Sequence, residues 1–450
     1  MVNNLSGYVN FRGRTSAATA ASQTSAKAAT SETKETAQSK SAYSAENVRA
    51  YGSASLNTTL STEAAKQKYA DVSAGLDPDT KVALSGLLKS GVLLNNNSYD
   101  GTTVLDNLHK IVTEPRIRGL DSKVLATEAI TAISNPGSIT QTFGDIPDSV
   151  ARAVFRHPEL GVRSKEEMNI GQYSNCCVAA SIEYNMASKK PAEFARMAAG
   201  LSSEDYSVTK NLKLSDIAEK RDDALWMLEQ FKLPYQMDEN DNLQVTIAPD
   251  RNAIIRARVQ TSYRNPGERS SLDVLMQSAL MNVGSQQTYN TLNDTRTGAL
   301  NPSNAGLTDL EKNFAEEVVT GTPKMPVLYQ AIGEDGTVQA RACDYQTMAD
   351  QLLAALRMDE NIIVGIVDFN QQGQVMGGHE LTVTGAGEAP TGDLVFICND
   401  TADSDDEPIY VLAQNLLPRL HHAGLPKEAI GETEMPTAFD GIQYYKEQLA

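Results

Sequence analysis

The chain has 450 residues with a formal net charge of -18 and a pI near 4.8. That length exceeds one compact core, so two or three structural units are expected. The acidic excess excludes nucleic acid and anionic membrane surfaces as expected partners, because both require a basic footprint. Four cysteines, Cys176, Cys177, Cys343 and Cys398, are too few for a disulfide framework.

The opening MVNNLSGYVNFRGR has no apolar core, so no conventional secretory signal is expected. Residues 14 to about 70 are rich in Ala, Ser, Thr, Gln, Lys and Glu and nearly devoid of large apolar side chains. Such a segment buries too little surface to offset its ordering entropy. Residues 1–75 are therefore predicted to be a disordered or weakly helical tail, either a solvated tail or an export signal. The chain is placed in the cytoplasm or on an unconventional export route.

From residue 76 the pattern becomes helical. Asp77 and Pro78 supply helix-start chemistry, followed by Val82, Leu84, Leu87, Leu88 and Val92 at helical spacing. TVLDNLHKIV, SKVLATEAITAI and DSVARAVFRH repeat the pattern, giving a helical unit over 76–160 that either covers the catalytic part of the chain as a prosegment or docks a partner. Residues 165–240 also read as mainly helical. Leu225, Leu228 and Phe231 share one face there, and Pro234 ends the helix. The stretch 240–325 is mixed and polar, with helices in SSLDVLMQSALMNV and LTDLEKNFAEEVV. After 325 short strands and hairpin-type turns succeed one another: MPVLYQAI, IIVGIVDF, HELTVTGA, DLVFICN and PIYVLA, with a helix in YQTMADQLLAALRM. Helices first and an antiparallel meander afterwards define an α+β arrangement. His421 and His422 are assigned to a late polar helix, and 426–450 to a C-terminal tail. No apolar run approaches the roughly 20 residues of a membrane span.

GQYSNCCVAAS, residues 171–181, carries the chemistry. A helix N-terminus stabilises a thiolate. Ser174 or Asn175 is the expected cap, with Cys177 in the first turn. A pair of adjacent cysteines also suits a buried core helix. His379 begins a strand after two glycines and is positioned to take a thiol proton. Asn399 ends the next strand, twenty residues on, and Asp400 comes directly after it. Either one suits the role of orienting the imidazole, although N-D-T-A-D-S also reads as ordinary turn chemistry. Gln172 precedes the cysteines and suits an oxyanion donor. The cysteines and histidines lack zinc spacing, no phosphate loop is present, and no cofactor is expected.

The order Gln, Cys, His, Asn or Asp resembles the papain-like cysteine peptidase superfamily. C-V-A-A-S, residues 177–181, matches the family's run in register. The resemblance implies Cys177 as nucleophile, Cys176 as its bystander, His379 as base, Asn399 as orienter with Asp400 as the alternative, and Gln172 in the oxyanion hole. It covers about 165–413, within a catalytic domain drawn over 161–425 with an insertion at 240–325. It implies a thiol hydrolase acting on a protein or peptide substrate. Two departures stand out. Gln172 is one residue closer to the nucleophile than usual, and Val178 replaces an aromatic residue. Deamidation, transglutamination and acyl transfer use the same constellation. A catalytically inert interaction protein on the same scaffold is the competing reading.

Overall fold

The computed structural model describes residues 57–142, 174–262, 268–291, 294–296, 306–333, 335–402 and 407–431, and residues 442, 443, 445 and 446. The architecture is α+β. Helices α1 (Glu63–Ser73), α2 (Pro78–Lys89), α3 (Val104–Thr113) and α4 (Ser122–Ser134) come first. Next are α5 (Cys177–Lys189) and α6 (Pro191–Leu201). A small antiparallel sheet is formed by β1 (Val208–Lys213), β2 (Tyr235–Met237) and β3 (Asn242–Ile247), with α7 (Arg221–Phe231) between the first two strands. Helices α8 (Arg251–Ser262), α9 (Ser271–Gly284) and α10 (Asp309–Thr320) complete the helical layer.

Local chemistry explains where these helices begin. Asp77 accepts the Thr80 N–H, with Pro78 at the first helical position, as the sequence suggests. Reciprocal side-chain and backbone bonds start α3 (Thr103 and Asp106), α9 (Ser270 and Asp273) and α10 (Thr308 and Glu311), each a capping box that satisfies otherwise orphaned N–H groups. In α2 the buried face is Leu84 and Leu87, whereas Val82, assigned to that face from spacing, is 72% exposed. Helix α7 stops at Phe231, ahead of Pro234, because Lys232 turns left-handed at φ 51°.

Helix α1 lies inside the stretch assigned to the tail. Thr62 caps it and Val72 is buried in the core. DSVARAVFRH and residues 1–56 lie outside the described residues.

The boundary drawn near residue 160 does not coincide with a break in packing. One apolar cluster runs from Val72 and Leu84 through Leu108 and Ile130 to Ile182, Phe194, Leu275 and Phe314. Polar ties cross the same line. The Glu128 carboxylate accepts the Ser271 and Leu272 N–H groups at 3.1 and 3.2 Å, at the start of α9. The Ile117 N–H donates to the Ser202 carbonyl at 3.0 Å. The stretch assigned as an insertion supplies α9 and α10, whose residues are buried throughout. The assigned C-terminal tail also packs: Tyr445 is buried and reaches Asp309 at 3.4 Å.

The main sheet has six strands, every neighbouring pair antiparallel. These are β4 (Met325–Leu328), β7 (Ile362–Phe369), β8 (Val375–Glu388), β9 (Leu394–Asn399), β10 (Ile409–Leu412) and β11 (Leu420–Leu425), in the order β10-β9-β8-β7-β11-β4. A hairpin of β5 (Gln330–Ile332) and β6 (Val338–Arg341) precedes α11 (Tyr345–Arg357). Short helices α12 (Ala413–Leu416) and α13 (Lys427–Ile430) flank β11. Ile363 joins the helical core, while Ile362, Val364 and Ile366 join a second cluster with Met348 and Leu352 of α11. Alternation along β7 thus feeds both faces of the sheet.

His421 and His422 lie on β11 and not on a helix, so His379 is not the only strand histidine. Gly365 is the middle of a three-strand row, paired with Glu380 on one side and His422 on the other. The missing side chain lets the His422 imidazole cross the strand and meet Glu380 at 2.8 Å. A Cβ at Gly365 would stand 2.1 Å from that ring. Gly365→Ala is therefore expected to destabilise the fold by about 1–3 kcal/mol, readable as a lowered denaturant midpoint. An unchanged midpoint would mean that the ring is free to move.

Candidate active site

Cys177 is the first residue of α5 and is half-buried, while Cys176 occupies the cap position and is wholly buried. Neither Ser174 nor Asn175 caps the helix: the cap residue is Cys176, and its side chain makes no capping hydrogen bond. Ser174 is otherwise engaged, since its Oγ donates to the Gln141 carbonyl at 2.9 Å and accepts from Arg269. The first N–H groups of the helix thus start without intrahelical acceptors, directly at the Cys177 position.

His379 Nε2 and Asp400 Oδ1 lie 2.7 Å apart. Cys177 also interacts with the imidazole, through a side-chain hydrogen bond and its charge. With Nε2 taken by Asp400, Nδ1 is the nitrogen left for the thiol. Both paired side chains are shielded, His379 at 9% and Asp400 at 4% exposure.

The orienting residue is Asp400 rather than Asn399, and pleating explains why. Asn399 pairs with Thr382, three residues from His379 along β8. Side chains alternate along a strand, so Asn399 falls on the face opposite His379. Asp400, one residue further, falls on the same face. Asn399 Oδ1 is buried and accepts no hydrogen bond among the described residues. Gln172 lies outside the described residues.

Burial opposes a charged imidazole at His379, but the Asp400 carboxylate, through charge and hydrogen bond, and Cys177 together hold its pKa well above the ordinary 6.5. Burial likewise pushes Asp400 up. The His379 charge and hydrogen bond, the Ala402 N–H and Arg419 outweigh it and keep the carboxyl below its ordinary 3.8. The signs fix a pH window. Stability from the raised histidine is fully present below its unfolded pKa of about 6.5 and is lost as pH rises through the higher folded value. Stability from the depressed aspartate is present above its unfolded pKa of about 3.9 and is lost as pH falls through the lower folded value. The melting-temperature gap between wild type and Asp400→Ala is expected to be widest between these limits, at about pH 4–6.5, and to shrink toward alkaline pH. A gap that does not vary with pH would show that the pair carries no charge coupling.

Cys176 is not equivalent to its neighbour. Its Sγ lies 2.9 Å from the Tyr289 hydroxyl and 3.5 Å from Asp294 Oδ1, and burial pushes its thiol up to about 12. All four cysteines are free thiols. Among the described residues no group of His, Cys, Asp and Glu could hold a metal ion, and no helix is long and apolar enough to cross a membrane.

Sequence reasoning missed Asp294, Tyr289 and Arg269 behind the cysteine, and the Glu380–His422 pair in the sheet. Tyr289 and Asp294 lie 113 and 118 residues from Cys176, and no local pattern joins them. No protein-family model matches the chain, and no curated protein or solved structure matches it either.

Proposed function

We propose that the chain is a thiol hydrolase of papain-like type, acting on an amide or ester carbonyl, with peptide bonds the leading substrate class. The observation that carries this reading is the meeting of three side chains from different elements: Cys177 at a helix start, His379 on β8, and Asp400 just past β9. A thiolate beside an imidazolium is the nucleophilic form of such a pair.

Cys177 sulfur attacks the carbonyl carbon and forms a tetrahedral oxyanion. The Cys177 N–H at the helix start donates to that oxygen, and Gln172 is proposed as the second donor. Imidazolium at His379 gives its proton to the leaving nitrogen as the C–N bond breaks, leaving a thioester. Water then attacks the thioester, passing a proton to His379, and the acid leaves with regeneration of the thiol pair. Asp400 holds the imidazole in one tautomer throughout.

Val178, at the place of a cleft-wall aromatic, is buried in the helical core. The substrate wall must therefore be built from other residues, which leaves transfer and deamidation open as variants of the same chemistry.

A peptidyl vinyl sulfone tests the reading. One covalent adduct is expected on the peptide bearing Cys177, strongly reduced in His379→Ala. No adduct, or one confined to Cys343, would contradict it.

A further inference from the structure

We infer that Asp294, with Tyr289 and Arg269, forms a clamp that positions the nucleophile from behind. This rests on the assignment of Cys177 as the attacking residue. Each of the three residues before Cys177 is held by one or more of these three side chains. The Ser174 hydroxyl accepts from Arg269. The Asn175 N–H donates to Asp294 Oδ2. The Cys176 Sγ meets the Tyr289 hydroxyl and Asp294 Oδ1. Tyr289 donates to the same Oδ1 at 2.7 Å, and the Arg269 N–H donates to the Thr142 carbonyl at 2.8 Å. All of these side chains except that of Asn175 are buried to 5% exposure or less.

One carboxylate thus gathers a backbone N–H, a phenol and a thiol immediately before the helix. Buried polar groups of this kind are costly unless satisfied, and when satisfied they fix one geometry. Asp294 itself sits at φ 52°. That left-handed conformation is one aspartate tolerates, and strained residues of this sort cluster where position matters. The turn carrying it is closed by Asn290 and Thr295, with N···O distances of 2.8 and 3.4 Å. The clamp comes from the segment after α8, which the sequence marks only as an insertion. Cys176 is an anchor: a neutral thiol bound to the clamp, which holds Cys177 at the helix start where His379 meets it. Asp294 and its partners touch neither substrate nor the reacting sulfur in this scheme, and act through backbone placement alone.

The test uses the full chain and reads iodoacetamide labelling of Cys177 by peptide mass spectrometry at pH 6.5. Wild type, Tyr289→Phe and Asp294→Asn are each compared with and without His379→Ala, with a thermal melt for every variant. In wild type, His379→Ala is expected to slow labelling by at least about tenfold, since sub-ångström placement of reacting groups carries large rate factors. In Tyr289→Phe and Asp294→Asn that factor is expected to fall to about threefold or less, because a loosened loop uncouples the thiol from the imidazole. A purely structural role would lower the melt and leave the factor intact. Tyr289→Phe removes a single hydroxyl, so it decides the question should Asp294→Asn not fold. A wild-type factor retained in the folded variants would overturn the clamp alone. No dependence on His379 in wild type would overturn the nucleophile assignment, and the clamp with it.

Discussion

Replacing Cys177 by serine is expected to lower hydrolysis of denatured casein by at least about 10³-fold, and His379→Ala by a similar factor, because removing either member of a nucleophile–base pair removes the pathway. Asp400→Ala is expected to cost about 10²–10⁴-fold through the lost tautomer and orientation. Asn399→Ala should stay within a few-fold of wild type by the same argument, since that side chain stands on the other face of the sheet. The contrast between adjacent positions is the informative part. Equal losses at Asn399 and Asp400 would mean that the turn matters only as structure. A large loss at Asn399 alone would reverse the assignment of the orienting residue. Melting curves for each variant separate chemistry from folding. The double assignment of Cys177 and Cys176 is tested in the same series: Cys176→Ala removes the anchor but leaves the nucleophile, so partial activity is expected there.

Deleting residues 1–142 is expected to abolish the fold rather than release activity. The deletion removes Val104, Leu105, Leu108, Ile111, Leu125 and Ile130, all with 1% exposure or less in the helical core. Truncating even one such side chain costs about 2–5 kcal/mol, and domains hold only about 5–15 kcal/mol in all. The deletion also strips the Glu128 carboxylate from the start of α9 and the Ile117 bond from Ser202. Thr140 and Gln141 go as well. The Thr140 hydroxyl and the Gln141 N–H both donate to the Thr401 carbonyl, beside the orienting aspartate, at 2.9 and 3.0 Å. The expected readout is insoluble protein, or far-ultraviolet dichroism without a cooperative melt. A folded truncation with raised turnover would instead make this segment a removable cover over the active site. A deletion ending before Thr62 removes none of these contacts and serves as the control.

The helical starts and most strands of the sheet are legible in the sequence because their signals are local. Asp77–Pro78 marks α2, and the apolar runs after residue 360 mark β7, β8 and β9. What is missed has a physical reason in each case. In β1 the inward positions are Val208, Lys210 and Leu212, and a lysine at an inward position masks the alternation. Lys210 is tolerated there because Glu193 of α6 meets it at 2.8 Å, the Val319 carbonyl accepts from its ammonium at 2.6 Å and the Tyr99 ring lies beneath it at 3.6 Å, all partners on other parts of the chain. β11 reads L-H-H-A-G-L, with no β-branched residue, and it is a strand because β7 and β4 supply ladders on both sides. The choice between Asn399 and Asp400 depends on the β8–β9 register, since one residue of slip inverts every side chain. Ser174 is a good cap by type, but its hydroxyl is drawn off by Gln141 and Arg269. The clamp behind Cys176 needs contacts between segments far apart in the chain.

The central claim is that Cys177 and His379 form an activated pair, and the pH dependence of Cys177 alkylation tests it most directly. The background is favourable: Cys176 and Cys398 are buried, and burial pushes the half-buried Cys343 up to about 11. The expected result is fast labelling of Cys177 well below pH 8, slowed strongly in His379→Ala. Slow labelling that rises only near the free-thiol value of about 8.5, with no response to His379, would contradict the account.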